Sequence, residues 1–204
     1  MTELTIRNGP YFHIHTKECE NQHFHDFVIH VDAVGQLQLG KLLSGGVSKV
    51  FGHKTSFQAP FYPLNTDGID PRGRNILIER VNITNYDDAI AVKPVYDKDP
   101  KTDIKCTENV MVRDLIVHWS TGLAIGSVHP ADSYGCIRNV TFRDSVLYSP
   151  FKGIYIKTNS GTTTSMLPGS GGEITNITYE NIEIYNPSWW GIYIGPQQQH
   201  EPNG

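Results

Sequence analysis

One nine-residue phrase recurs along this chain and restricts its fold more than any other feature. Asn75-Ile-Leu-Ile-Glu-Arg-Val-Asn-Ile83 returns as Asn109-Val-Met-Val-Arg-Asp-Leu-Ile-Val117, Asn139-Val-Thr-Phe-Arg-Asp-Ser-Val-Leu147 and Asn176-Ile-Thr-Tyr-Glu-Asn-Ile-Glu-Ile184, with a weaker copy at Asn21-Gln-His-Phe-His-Asp-Phe-Val-Ile29. Roughly fourteen residues after each strong copy comes a second phrase: Ala89-Ile-Ala-Val92, Gly122-Leu-Ala-Ile125, Gly153-Ile-Tyr-Ile156 and Gly191-Ile-Tyr-Ile194. Apolar residues alternate within each copy, the period of a short strand with one buried face, and no helical period persists. The four strong copies are 34, 30 and 37 residues apart. That is room for several strands and turns but not for the helical half of an ankyrin or leucine-rich repeat. The expected fold is therefore all-β, a right-handed parallel β-helix. Its coils stack at the strand spacing, and equivalent residues form ladders.

The expected organisation is one domain over residues 1–204. The 54-residue interval between Asn21 and Asn75 breaks the rhythm, and the excess over Val34 to Thr55 is expected to be an insertion or irregular segment. Its Gly-Lys and Gly-Gly pairs lack the spacing that cradles phosphate. With 38% hydrophobic and 19% charged residues the chain is neither disordered nor collagen-like. Its net charge of -4 offers no basic surface for nucleic acid, and no apolar run approaches a membrane span. Nucleic-acid and membrane partners are thus not expected. Cys19, Cys106 and Cys136 form no Cys-x-x-Cys pair, and their pairing stays open. The start at Met1-Thr2-Glu3-Leu4 shows no secretory signal, and about five coils with no evident caps read as a chain shortened at one or both ends.

Acidic residues stand where a bland ladder is expected. Asn65-Thr66-Asp67-Gly68-Ile69-Asp70 and Asn85-Tyr86-Asp87-Asp88-Ala89 place carboxylates about one coil apart, so Asp67 should share a face with Asp87 and Asp88. Three acids so close cannot all ionise freely; a protonated acid beside carboxylate bases is the outcome, and glycoside hydrolysis uses that division. Asp70, followed by Pro71, reads better as a turn residue.

These residues resemble glycoside hydrolase family 28, the polygalacturonases and rhamnogalacturonases. The resemblance rests on Asn65-Thr66-Asp67-Gly68-Ile69-Asp70, Asp87-Asp88-Ala89-Ile90-Ala91-Val92-Lys93, Gly122-Leu123-Ala124-Ile125-Gly126-Ser127 and Ile154-Tyr155-Ile156-Lys157-Thr158. It implies a right-handed parallel β-helix that hydrolyses pectin with inversion, outside the cell, as a monomer and without metal or cofactor. It also implies Asp87 as the general acid, with Asp67 and Asp88 activating the attacking water. Inversion calls for acid and base about 6.5 to 9.5 Å apart. Two positions depart from the family: Thr121 stands where the family has histidine, and Tyr155 where it has arginine. Lys157 is then the point charge of a halved basic clamp, with Tyr155 suited to stacking on a sugar and Thr121 lining the subsite. Lys93, in the same register two coils earlier, is a secondary candidate.

Other residues carry less. His13, His15, His23, His25 and His30 lack a completing ligand set and read as ordinary histidines; His118 and His129 flank the third motif. Trp189, Trp190 and Tyr193 fit a sugar-stacking platform or a core cap, with core preferred for Tyr193. Asn139 and Asn176 head Asn-x-Thr triplets, but their repeated turn position predicts stacked amides instead of glycans, whereas the triplet at Asn82 suits a secreted protein. The rival to a pectin hydrolase is a non-catalytic β-helix that binds polysaccharide, or an inactive fragment of such an enzyme.

Overall fold

Left-handed corners set the shape of each coil. The computed structural model describes residues 3–32, 65–96, 102–128, 134–158 and 171–196. Among them are thirteen strands and no helix: β1 (Thr5–Arg7), β2 (Ile14–His15), β3 (Cys19–His30), β4 (Ile69–Asp70), β5 (Gly73–Thr84), β6 (Asp88–Val92), β7 (Val95–Tyr96), β8 (Thr107–His118), β9 (Gly122–Val128), β10 (Tyr134–Tyr148), β11 (Lys152–Thr158), β12 (Gly171–Tyr185) and β13 (Trp190–Pro196). The long strands are bent twice. Asn75 and Arg80, Asn109 and Asp114, Asn139 and Asp144, and Asn176 and Asn181 all have φ between 48° and 58°. A short polar side chain tolerates this left-handed conformation best, which is why asparagine heads each repeat.

Those asparagines also bond to one another. The Nδ2 of Asn75 donates to Asn21 Oδ1 at 3.1 Å, Asn109 to Asn75 at 3.1 Å, Asn139 to Asn109 at 2.6 Å and Asn176 to Asn139 at 3.1 Å. The amide ladder expected at Asn139 and Asn176 therefore runs through five coils.

Strands pair parallel from coil to coil in two sheets, β1-β3-β5-β8-β10-β12 and β13-β11-β9-β6-β4-β2, with the short β7 antiparallel to β10. The fold is the right-handed parallel β-helix. Register stacks like on like: Phe24, Ile78, Val112, Phe142 and Tyr179 form one interior ladder, and Ile29, Ile83, Val117, Leu147 and Ile184 another. Ile69, Ile90, Leu123, Ile154 and Ile192 form a third on the opposite sheet. Most of these side chains are fully buried. Each fully buried one stabilises the fold by about 1.5–3 kcal/mol relative to exposure. Cys106 and Cys136 form a disulfide between neighbouring coils, settling the pairing that the cysteine count left open, while Cys19 is a free thiol. The insertion expected over 34–55, and His129, lie outside the described residues.

The asparagine ladder makes a measurable demand. Asn109→Ala loses two side-chain hydrogen bonds and leaves a Cβ in a left-handed corner, for a cost of about 2–3 kcal/mol. Asn109→Gly keeps the backbone conformation and loses only the bonds. Urea unfolding should therefore rank wild type above glycine and glycine above alanine; equal stabilities for the two variants would contradict the corner argument.

Candidate active site

The acidic loops are fastened before they are charged. Asn85, fully buried, donates from Nδ2 to the carbonyl of Thr66 at 2.9 Å and to that of Asp88 at 2.8 Å, tying the two acid-bearing segments together. Tyr86 N–H donates to Thr66 Oγ1 at 3.1 Å, and Gly68 N–H to the Asp88 carbonyl at 2.9 Å. A Cβ on Gly68 would lie 2.3 Å from the Ala89 carbonyl oxygen, so only glycine permits this approach.

Held this way, Asp67, Asp87 and Asp88 bring one carboxylate oxygen each to within 4.8 Å of the others. The shared face expected from the sequence is what the fold builds. These nearest oxygens lie closer together than the 6.5 to 9.5 Å expected between the carboxyl groups of an inverting pair. Asp88 is 1% exposed, accepts a 2.6 Å hydrogen bond from Thr121 Oγ1, and is paired with the Lys157 ammonium. Asp87 accepts from the backbone N–H of Asn65 at 3.0 Å and of Asp88 at 2.9 Å, and from Thr121 Oγ1 at 3.3 Å. Asp67 Oδ1 is buried and receives no hydrogen bond among the described residues.

Lys157 reaches Asp88 across an intervening strand. Its strand, β11, lies two places from β6, with β9 between. The outward positions of β9 are Gly122, Ala124 and Gly126, a floor low enough for the lysine stem. Lys157 is consequently 9% exposed. Thr121 and Lys157 thus both meet the acids. Tyr155 does not behave as expected: its ring is fully buried against Ala91, Ala124 and Tyr193, so it presents no open face to a sugar.

Asp70 is likewise corrected. It is no exposed turn residue but a fully buried residue of β4, 3.5 Å from Lys93 Nζ and 3.8 Å from His15 Nδ1. Lys93 also lies 4.0 Å from Asp67. Four buried or half-buried acids therefore share two lysines, and His15, read from sequence as ordinary, adjoins them. The stacked register that places Asp70 beside His15 was the signal available for finding this pair.

The charge imbalance shows in the proton affinities. Burial first, then the charges of Asp88, Asp70 and Asp87, push Asp67 up to about 9 against the pull of Lys93. Burial lifts Asp70 to about 6, with Lys93 opposing, and burial plus Asp88 raises Asp87. Burial alone would lower Lys93, but the surrounding aspartates outweigh it and raise it. The arrangement can hold protonated carboxyls beside an ionised one at mildly acidic to neutral pH, the requirement for general acid and base work at one place.

Stability should follow these shifts. Because the folded carboxyls bind protons more tightly than unfolded ones, their contribution is complete below about pH 4 and is lost as pH rises through about 6 for Asp70 and about 9 for Asp67. The thermal midpoint should fall between pH 5 and 9, and Asp67→Asn should flatten the upper part of that fall while stabilising the chain at pH 8. Parallel profiles for the two proteins would contradict the assignment.

The family model described as Glycosyl hydrolases family 28 matches residues 1–204. A probable endopolygalacturonase D of Neosartorya fischeri is 32% identical over 141 residues, 69% of this chain and 25% of that protein. Endopolygalacturonase I of Aspergillus aculeatus is 30% identical over 130 residues, 64% of this chain and 32% of that protein. The chain thus spans about a quarter to a third of the length of the curated relatives it matches. Among solved structures, the exopolygalacturonase of Thermotoga maritima superposes with a TM-score of 0.69 at 25% identity, covering 99% of this chain and 37% of that one. The endo-xylogalacturonan hydrolase of Aspergillus tubingensis gives 0.64 at 20% identity, covering 91% and 40%. Fold, acidic motifs and sequence converge, and the chain belongs to glycosyl hydrolase family 28.

Proposed function

We propose that the chain carries the catalytic centre of an inverting glycoside hydrolase that cleaves galacturonosidic or related linkages in pectic polysaccharide. The observation that carries this reading is the cluster of Asp67, Asp87 and Asp88 with Lys157 and Thr121 on Asp88. Asp87, raised in proton affinity, is the acid that protonates the leaving glycosidic oxygen. Asp88, paired with the Lys157 ammonium, and Asp67, with an oxygen that accepts no hydrogen bond among the described residues, hold the water. Water attacks the anomeric carbon as the glycosidic bond breaks, its proton passing to Asp88 and the acid's proton to the leaving sugar hydroxyl. The names of the relatives point to the same polymers. The disulfide suits an oxidising, extracellular setting, and the monomeric state expected from the family is part of the same proposal.

No metal or cofactor is assigned a role. Three acids in contact can hold a cation, but here the Lys157 ammonium already supplies the counter-charge to Asp88. A non-catalytic, polysaccharide-binding reading draws on one observation: Lys157 is engaged with Asp88 and Tyr155 is buried, so the basic clamp for a sugar carboxylate is not open in the free protein.

Reducing-sugar release from polygalacturonate and rhamnogalacturonan, at mildly acidic pH, separates the two. Wild type should release sugar, and Asp87→Asn should lower the rate about a hundred- to ten-thousand-fold. Treatment with a chelator should leave the wild-type rate unchanged, whereas loss on chelation would place a cation among the acids. A folded wild-type chain that binds polygalacturonate without cutting it would support the binding module.

A further inference from the structure

An inverting hydrolase ends each turnover with its protons misplaced. The acid, Asp87, has given its proton to the leaving sugar, and Asp88 has taken one from the attacking water. Before the next linkage can be cut, one proton must travel from Asp88 back to Asp87. The total charge of the pair does not change, so the return needs a path between the two and no exchange with solvent.

The path that the fold offers is narrow. Asp88 is 1% exposed, and its Oδ2 is paired with the Lys157 ammonium, which has donors only and cannot accept a proton. Its Oδ1 lies 2.6 Å from Thr121 Oγ1, and that hydroxyl oxygen in turn lies 3.3 Å from Asp87 Oδ1. A hydroxyl carries one hydrogen and two lone pairs, so Thr121 can donate to one carboxylate while it accepts from the other. Were both aspartates ionised, one of the two contacts would have no hydrogen; with one protonated, both are hydrogen bonds. Burial and the charge of Asp88 raise the proton affinity of Asp87, which makes Asp87 the donor before the reaction.

Thr121 is also fastened where such a role needs it. The residue is 5% exposed, and its N–H donates to the Asp87 carbonyl at 2.8 Å. Ser120 Oγ donates to the same carbonyl at 2.8 Å and accepts from the Gly122 N–H at 2.8 Å, so the corner is tied on both sides of Thr121. The strand that follows, β9, lies between β6 and β11, inside the stack and not at its end.

We propose that Thr121 is the proton relay that resets the two carboxyls between turnovers. After cleavage its hydroxyl turns its hydrogen toward the ionised Asp87 and accepts from the newly protonated Asp88. The O–H bond of Asp88 then breaks as its proton passes to Thr121 Oγ1, and the former O–H bond of Thr121 breaks as that proton passes to Asp87 Oδ1. Threonine is again a neutral hydroxyl, Asp88 is ionised and Asp87 is protonated, with no proton gained or lost. The relay rests on the hydrolase reading of the same site, and Thr121 acts through the two aspartates, which remain the acid and the base.

Rapid-quench measurement of reducing ends from polygalacturonate separates chemistry from reset, with enzyme in excess for the first turnover and substrate in excess for the steady state. Thr121→Val, which keeps the shape without the hydroxyl, should lower the steady-state kcat about a hundredfold, with KM falling alongside. Its first turnover and its kcat/KM, which report only steps up to cleavage, should change far less. Thr121→Ala, which adds no bulk to the corner, should show the same split, whereas Thr121→Ser, which keeps the hydroxyl, should show none. First-turnover and steady-state rates that fall together in the valine and alanine variants would mean that Thr121 only orients Asp88, and would overturn the relay while leaving the hydrolase reading intact. Wild-type rates in both variants would do the same. A folded wild-type chain that releases no sugar would overturn the hydrolase reading and the relay with it.

Discussion

In-register stacking of one coil on the next is the constraint from which the rest of the structure follows. Parallel pairing at a fixed spacing puts like residues over like, so a favourable contact in one coil is repeated in all and an unfavourable one is repeated too. Aliphatic on aliphatic and amide on amide satisfy this rule from coil to coil. Charge on like charge does not, and the sheet face that carries Asp67, Asp70, Asp87 and Asp88 is a buried exception to the rule. Natural structures break a local rule mainly where function requires it.

The exception is sustained by cross-coil contacts between unlike residues. Lys93 bridges Asp70 and Asp67 from the neighbouring coil, and Lys157 crosses the small residues of β9 to reach Asp88. Asn85 holds the loops so that the acids cannot spread apart to relieve their repulsion. Elsewhere, several charged residues stack on a residue of opposite sign, as Glu20 on Arg74, Arg74 on Glu108 and Glu79 on Arg113 do. Arg113 donates to Glu79 at 2.8 and 2.5 Å and Arg80 to Asp26 at 2.7 Å on the outer face of the other sheet, where the carboxylates are easier to ionise than usual. One sheet thus gains stability by neutralising its acids with adjacent guanidinium groups, while the other keeps a surplus of negative charge that only protons can balance. That surplus is what makes proton transfer available there.

Much of this was legible without coordinates because stacking turns sequence period into position. The recurrent asparagine, the two apolar phrases and the closeness of Asp67, Asp87 and Asp88 all follow from aligning coils. Contacts between unlike residues were not legible. Asp70 was misread because Asp-Pro has a strong local turn preference, whereas its partners, Lys93 and His15, come from neighbouring coils. Tyr155 was misread because strand alternation correctly turned it outward but could not show that Tyr193 and Lys152 cover it. Asn85 gave no signal, since a buried amide that joins two carbonyls has no characteristic spacing, and the cysteine count could not choose between pairings.

The short contact among the acids makes stereochemistry the sharpest test of the account, because the nearest oxygens lie closer than a single displacement ordinarily requires. Proton NMR of an α-linked galacturonan digest, read in the first minutes before mutarotation, reports the anomer released. The account, with Asp67 and Asp88 jointly holding the attacking water and Asp87 as the acid, predicts that the β-anomer appears first. An initial α-anomer would mean that one of these carboxylates attacks the sugar itself, and would contradict the roles assigned to all three.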